Sequence, residues 1–215
     1  MNDKKNIEAH PLLPFLPEEA KLLMLGSFPP PRKRWSMNFY YPNLQNDMWR
    51  IFGKIYFADP VYFLTPDGKA FDQPRIEAFA RRVGLALFDT ASEVRRLQEN
   101  ASDKFLEVVT PTDVVALLHQ LPHCRALVVT GQKAMEVIRT QLLSAINSSG
   151  DLVLSAEAWP EPKIGGFVEF MLEGRVLRLY RMPSSSRAYP LALEKKAAYY
   201  KEMLQQLSLL FSAEE

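Results

Sequence analysis

The sequence predicts an α/β protein, a three-layer α/β/α sandwich around a central, mainly parallel sheet. Three observations lead there. Short apolar runs at Leu22–Leu25, Leu85–Phe88 and Ala126–Thr130 have the length of buried strands. Segments with helical spacing alternate with them, as the crossovers of a parallel sheet do. Predicted strands also empty directly into unusual residues: Gly26-Ser27, Asp89, Gly131 and, after a late strand, Met182-Pro183-Ser184. In a parallel sheet those four loops gather along one rim and form one cleft, because open α/β sheets place ligands at the carboxyl ends of their strands.

The elements follow in order. Leu22–Leu25 is the first strand. Asp47–Ile55 reads as a helix, with Met48, Trp49, Ile51, Phe52 and Ile55 as its apolar stripe and Asn46 in a capping position. Pro74 opens a second helix through Val83, which Gly84 ends. Leu85–Phe88 is a strand ending at Asp89. Thr112–Gln120 is helical until Pro122. Ala126–Thr130 is a strand, and Gly131 leads into a helix from Gln132 to about Ile146. Phe167–Leu172 and Arg175–Tyr180 flank Glu173-Gly174 and read as a hairpin, with pairing of Phe167–Leu172 elsewhere as the alternative. The loop Met182–Pro190 precedes a last helix, Leu191–Phe211, and the acidic, polar end is expected to fray. No repeat or low-complexity linker interrupts the chain, so one domain spanning residues 1–215 is expected.

Bulk properties narrow the function. The 215 residues are 47% hydrophobic and 24% charged, as in ordinary globular proteins with a substantial core. No apolar run reaches the ~18 residues of a membrane span. The start, MNDKKNIEAHPLLP, lacks the apolar centre of a signal peptide, so a cytoplasmic location is expected. Cys124 is the single cysteine, which excludes an internal disulfide and a thiolate-built zinc or iron–sulfur site. His10, His119 and His123 show no metal-ligand spacing, so no metal and no cofactor is expected. The net charge of +1 excludes a strongly polycationic nucleic-acid binder but permits a local basic face. Arg32-Lys33-Arg34, Arg95-Arg96 and the series Arg175, Arg178, Arg181, Arg187 are its candidates, with Arg95-Arg96 read more simply as a solvated face.

The richest stretch is Leu22 to Phe52. A rigid proline turn, Pro29-Pro30-Pro31, follows Gly26-Ser27-Phe28 and forms a stiff wall without amide donors. Next come the basic triplet and a cluster of aromatics and amides: Trp35, Asn38, Phe39, Tyr40, Tyr41, Asn43, Gln45, Asn46 and Trp49. Such a cluster suits a planar heterocycle, since rings stack and amides read edges. Each piece also has a plainer reading. The Gly-Ser-proline segment serves as a turn, Asn46 as a helix cap, Tyr40 and Tyr41 as core or rim aromatics, and Ser184–Ser186 as a flexible link. Asp89 reads equally as a cap or as an active-site carboxylate. Flanked by Arg181 and Arg187, the three serines also offer donors for a phosphate backbone. No nucleotide fingerprint, P-loop, G-x-S-x-G, H-E-x-x-H or histidine–carboxylate pair is visible, which leaves nucleophilic hydrolases and metalloenzymes little support.

Taken in order, these segments resemble the uracil-DNA glycosylase superfamily, most closely the branch of hypoxanthine-DNA glycosylases and related single-strand-selective uracil-DNA glycosylase-like bacterial enzymes. Gly26-Ser27-Phe28-Pro29 is similar to that branch's G-S-x-P motif. Tyr40-Tyr41 with Asn46-Asp47-Met48-Trp49 is similar to its Y-Y and N-x-F-W segments, with methionine where phenylalanine is usual. Leu87-Phe88-Asp89 matches the strand end that presents a base-reading residue. Val128–Ala134 resembles the strand–glycine–lysine turn, and Met182-Pro183-Ser184-Ser185-Ser186 the H-P-S or N-P-S motif. The chain departs from the family at Phe28, where many members carry Asp or Asn to position water, and at Met182, which cannot hydrogen-bond a leaving group. The four-cysteine cluster of some branches is absent.

The resemblance implies a monofunctional glycosylase that flips a deaminated base out of DNA and hydrolyses its N-glycosidic bond. Asn46 and Asp89 would be catalytic, the first positioning water and the second accepting a hydrogen bond from a ring N–H. Gly26, Ser27, Phe28, Phe39, Tyr40 and Tyr41 would bind the base, and Lys133, Pro183, Ser184, Ser185, Ser186 and Arg187 the DNA. The expected partner is DNA containing a deaminated base, with no membrane, and the expected state is a monomer. The alternatives are a non-catalytic DNA- or nucleotide-binding module, favoured by Phe28 and Met182, and an enzyme acting on free nucleosides.

Overall fold

The structure is a computed structural model that describes residues 7–97, 105–149 and 159–211. The chain end expected to fray lies outside these residues. In order, the elements are β1 (Ile7–Ala9), β2 (Leu22–Gly26), α1 (Met48–Phe57), α2 (Gln73–Val83), β3 (Leu85–Asp89), β4 (Ala91–Arg96), β5 (Leu106–Pro111), α3 (Val114–His119), β6 (Ala126–Thr130), α4 (Gln132–Ser149), β7 (Phe167–Leu172), β8 (Arg175–Met182) and α5 (Leu193–Gln206).

The central sheet has the order β3-β2-β6-β8-β7. The first four strands run parallel, and β7 pairs antiparallel at the edge. Every residue of β2, β3 and β6 is buried. That burial on both faces explains why these strands read as unbroken apolar runs instead of alternating ones. α1, α2 and α5 share an aromatic core in which Phe52 meets Phe79 and Tyr200, and Tyr56 meets Phe79. α3 packs on α4, and α4 packs against β6 and β7. This is the three-layer sandwich expected from the sequence. The hairpin reading also holds: β7 and β8 pair from Phe167 with Tyr180 to Leu172 with Arg175. Glu173 and Gly174 close it with φ of 51° and 75°, as a type I′ turn requires.

Helix ends differ from the sequence expectation by a residue or a turn. α3 starts at Val114 because Asp113 caps it, its carboxylate accepting the Ala116 N–H at 2.9 Å. α2 is likewise capped by Asp72, which accepts from Arg75 N–H at 3.1 Å. α1 starts at Met48 with Asp47, not Asn46, as its N-cap residue. α4 continues to Ser149, and α5 covers only Leu193–Gln206.

A second, antiparallel sheet of order β1-β4-β5 was not foreseen. Its strands are short and largely exposed, and they cover only a small cluster of Ala91, Val94 and Leu106, against which Phe28 and Val108 pack. With so little apolar surface to bury, Ala91–Arg96 shows mainly its charges in sequence. Arg95-Arg96 is accordingly not a plain solvated face. Arg96 Nε lies 3.0 Å from both carboxylate oxygens of Glu8, and Nη2 donates to the Pro29 carbonyl at 2.5 Å. It also lies over the Phe28 ring. Arg96 thus fastens the proline wall to the small sheet.

The late arginines do not make a common basic face. Arg175 donates to the carbonyls of Leu118, Leu121 and Cys124 at 3.0, 2.9 and 2.6 Å, closing the end of α3. Arg178 pairs with Glu169 at 3.0 Å, and Arg181 with Glu161 at 2.7 Å.

Cys124 is buried beneath this arginine, and burial pushes its thiol up to about 11. The neutral thiol is favoured in the fold, so this contribution to stability is intact below the ordinary thiol range and is lost as pH rises through about 11. Native protein at pH ~8 is therefore expected to give no reaction with a thiol reagent, while denatured protein gives one thiol per chain. A rapid native reaction would place Cys124 at the surface.

Candidate active site

The parallel register brings the strand ends together. Gly26 at the end of β2 faces Asp89 at the end of β3, and Thr130 of β6 faces Met182 of β8. Gly26 is required by close approach: a Cβ at this position would stand 2.4 Å from Asp89 Oδ1. The missing side chain lets the carboxylate lie over the end of the neighbouring strand. The Tyr41 hydroxyl closes the same corner, 3.4 Å from Thr130 Oγ1. Tyr41 itself holds a φ of 52°, a left-handed conformation uncommon for a non-glycine residue.

Above these ends lies a cavity of about 710 Å³. Its lining includes Gly26, Ser27, Phe28, Phe39, Tyr40, Tyr41, Asn46, Asp89, Ser184, Ser185, Ser186 and Arg187, with Arg34 and Thr130 added. Lys133 and Pro183 do not line it. Lys133 sits in the first turn of α4, and the Pro183 carbonyl accepts the buried Tyr200 hydroxyl at 3.1 Å. Met182 is buried in the core and also stands outside the lining.

The aromatic wall is built inward. Trp49 is fully buried, and its Nε1–H donates to the Tyr40 carbonyl at 2.9 Å, anchoring the loop. Phe39 packs edge-on against Phe15 and Tyr40. The Tyr40 hydroxyl donates to the Leu13 carbonyl at 2.8 Å. Burial, and secondarily the Asp89 carboxylate, pushes both the Tyr40 and Tyr41 hydroxyls far above the usual tyrosine range, so both stay protonated. Of the basic triplet, Arg32 donates to Asn38 Oδ1 at 2.6 Å and covers the Trp35 ring, whereas Arg34 reaches the cavity.

Asn46 serves local structure as well. Its Oδ1 accepts the Met48 N–H at 2.9 Å, a short Asx turn at the start of α1. The neighbouring Asp47, the first residue of the predicted helix, organises this side of the site. Asp47 Oδ2 lies 3.0 Å from Lys196 Nζ, and Oδ1 lies 2.9 Å from Arg187 Nε. Lys196 is 1% exposed and also donates to the Ser186 carbonyl at 2.8 Å. The Asp47 N–H donates to the Ser185 carbonyl at 2.8 Å. Arg187 is thus tied by its Nε to Asp47 and is not a loose side chain, although it remains 43% exposed. Arg50, beside them, donates to the Leu44 and Asn46 carbonyls at 3.0 and 3.2 Å, and burial followed by Arg187 lowers its guanidinium from the ordinary value.

The sequence reading missed one pair outright. His10 Nε2 lies 2.9 Å from Asp89 Oδ2, with side chains 4% and 9% exposed. A histidine–carboxylate pair therefore exists where none was expected. The partners are 79 residues apart, and no spacing rule links a residue after a strand of the small sheet to the end of a strand in the five-stranded one. Among the described residues, no three or more His, Cys, Asp or Glu side chains converge as a metal-ligand group, and no helix is long and apolar enough to cross a membrane.

The fold and cleft define an α/β protein with a ligand-sized crevice at the carboxyl ends of a mainly parallel sheet. No family model and no curated protein matches the chain. Among solved structures, the chain is similar to the solution NMR structure of a candidate uracil DNA glycosylase from Methanosarcina acetivorans. The TM-score is 0.59 at 19% identity, covering 94% of this chain and 99% of that one. The likeness establishes a shared fold.

The Asp47–Lys196 pair generates a stability prediction. Lys196→Met leaves Asp47 buried with only the half-exposed Arg187, and is expected to destabilise by about 3–5 kcal/mol. Asp47→Asn added to Lys196→Met is expected to recover part of that loss, because no buried charge is then stranded. Denaturant unfolding of the two single variants and the double variant measures the coupling. Strictly additive effects would mean that the two residues do not act as a pair.

Proposed function

We propose that this protein is a DNA glycosylase of the uracil-DNA glycosylase superfamily, within or near the hypoxanthine-DNA glycosylase branch, that hydrolyses the N-glycosidic bond of a deaminated base flipped from DNA. The observation that carries the reading is the joint opening of Asp89 and Asn46 into one aromatic-walled cavity at the strand ends. Residues of the glycosylase-like motifs, Gly26–Pro29, Tyr40-Tyr41, Asn46, Asp89 and Ser184–Ser186, line that cavity, and the shared fold with the candidate enzyme from Methanosarcina acetivorans agrees with the reading.

In this reading the flipped base enters beside Tyr41 and Phe28. Flipping costs a few kcal/mol, less for mispaired or single-stranded bases, and stacking recovers ~1–3 kcal/mol per base. Asp89 accepts a hydrogen bond from a ring N–H, which uracil, hypoxanthine and xanthine carry and the normal forms of cytosine and adenine lack. Asn46 Oδ1 has a second lone pair beside its bond to Met48 and holds the attacking water. A dissociative, oxocarbenium-like transition state needs only such weak nucleophilic help. Ser184–Ser186, the outward part of Arg187 and Arg34 meet phosphates.

Purified protein is expected to release uracil, hypoxanthine or xanthine from an oligonucleotide carrying one such base, read as strand cleavage after alkali, with no effect of chelator. Asn46→Ala should slow single turnover by ~10²-fold or more and lower stability by about 1 kcal/mol through the lost turn. Asp89→Ala should weaken excision of every base. Near-normal rates in both variants would remove these residues from the chemistry. A second reading, a non-catalytic module that binds DNA or nucleotides, draws on Phe28, which packs against the small cluster, and on the buried Met182. Tight binding of uracil-containing DNA without base release would select it.

A further inference from the structure

His10 has no part in the chemistry so far, yet the fold takes unusual care to deliver it. Its backbone N–H donates to the Ser92 carbonyl at 2.8 Å, extending the pairing of β1 with β4. Its ring packs against Phe28 and Phe88 at centroid distances of 5.3 and 4.4 Å. The ring is almost wholly buried and does not line the cavity. It lies behind Asp89 and touches only Oδ2, whereas Oδ1 is set against Gly26, which does line the cavity.

The hydrogen bonds of His10 admit three arrangements of the protons in which Asp89 Oδ1 stays an acceptor. His10 Nδ1 lies 2.8 Å from the Leu12 carbonyl and 3.2 Å from the Leu12 N–H. If both ring nitrogens are protonated, Nε2–H donates to a carboxylate. If only Nδ1 is protonated, donating to the Leu12 carbonyl, Nε2 must accept a hydrogen carried on Oδ2. If only Nε2 is protonated, Nδ1 accepts from Leu12 and Nε2–H again donates to the carboxylate. In each of these arrangements one hydrogen lies between Nε2 and Oδ2, so an Asp89 that is ionised or shares its hydrogen with Nε2 carries none on Oδ1.

We propose that His10 is a positioning residue that makes Asp89 Oδ1 an obligate acceptor and thereby restricts the pocket to bases with a ring N–H. The inference rests on the glycosylase reading and adds to it the origin of its specificity. Without His10, Asp89 loses the bond that confines a carboxyl hydrogen to Oδ2. Its hydrogen is then free to sit on Oδ1 and donate to N3 of cytosine, which the paired site rejects.

The test compares wild type with His10→Phe, which keeps a ring without a donor, His10→Leu, a second donor-free variant, and His10→Gln, whose amide N–H₂ still reaches toward Oδ2. Single-turnover release is measured on oligonucleotides holding uracil or cytosine at one position. The uracil-to-cytosine rate ratio is taken within each protein, so a reduced folded fraction cancels. The ratio is expected to fall about tenfold or more in His10→Phe and His10→Leu, with cytosine release becoming measurable, and to stay within about threefold of wild type in His10→Gln. An unchanged ratio in the donor-free variants, no cytosine release from either, or an equal fall in His10→Gln overturns the inference and leaves His10 as packing. Wild type that releases no base overturns the glycosylase reading and this inference together, whereas an active wild type with unchanged variants overturns this inference alone.

Discussion

The ion pair between Lys196 and Asp47 is the interaction on which the site side of the molecule depends. A buried ammonium is tolerated only with a charge partner and filled hydrogen bonds. Lys196 has both, in Asp47 Oδ2 and the Ser186 carbonyl. Satisfying it draws three separate parts of the chain together: α5, the start of α1 and the loop after β8. The Asp47 N–H bond to Ser185 and the Arg187 bond to Asp47 complete the stitching. Ser184–Ser186 therefore stand on the same frame as Asn46, and the two halves of the cavity rim hold a fixed relation.

The opposite side of the cavity repeats the device with different chemistry. Asp89 is also a buried carboxylate at the rim, and its partner also comes from a distant segment, the His10 that follows β1. Asp47, held by Lys196 and Arg187, and Asp89, held by His10, are thus each matched by basic groups from distant segments. The small antiparallel sheet has little core of its own. What it contributes to the site is to carry His10 to Asp89 and, through Arg96, to brace the proline wall at Pro29.

Most arginines that suggested a basic face are consumed by the fold. Arg175 closes the end of α3, Arg178 and Arg181 pair with glutamates, and Arg96 holds Glu8 and Pro29. Among the described residues, the cations that remain at the cavity are Arg34 and the outward part of Arg187. A chain of net charge +1 thereby offers a local, not a global, attraction to phosphate.

The sequence by itself determined the sandwich, the parallel strands and the rim. β2, β3 and β6 are buried on both faces, so their unbroken apolar runs announce them, and the residues that end them must lie side by side once the strands are parallel. Gly26, Asp89 and the serines after Met182 were legible for that reason, as was the hairpin at Glu173-Gly174. The small sheet was not, because strands that bury only Ala91, Val94 and Leu106 leave a charged, irregular pattern. Only the tertiary structure decided what Lys196, Asp47, Arg96 and His10 do. Each is an ordinary charged or polar residue in its own segment, and its role is set by a partner dozens of residues away. Periodicity reports which face of an element is buried. It carries no information about which buried charge must find which distant partner, and that pairing is settled only when the chain closes and water is excluded.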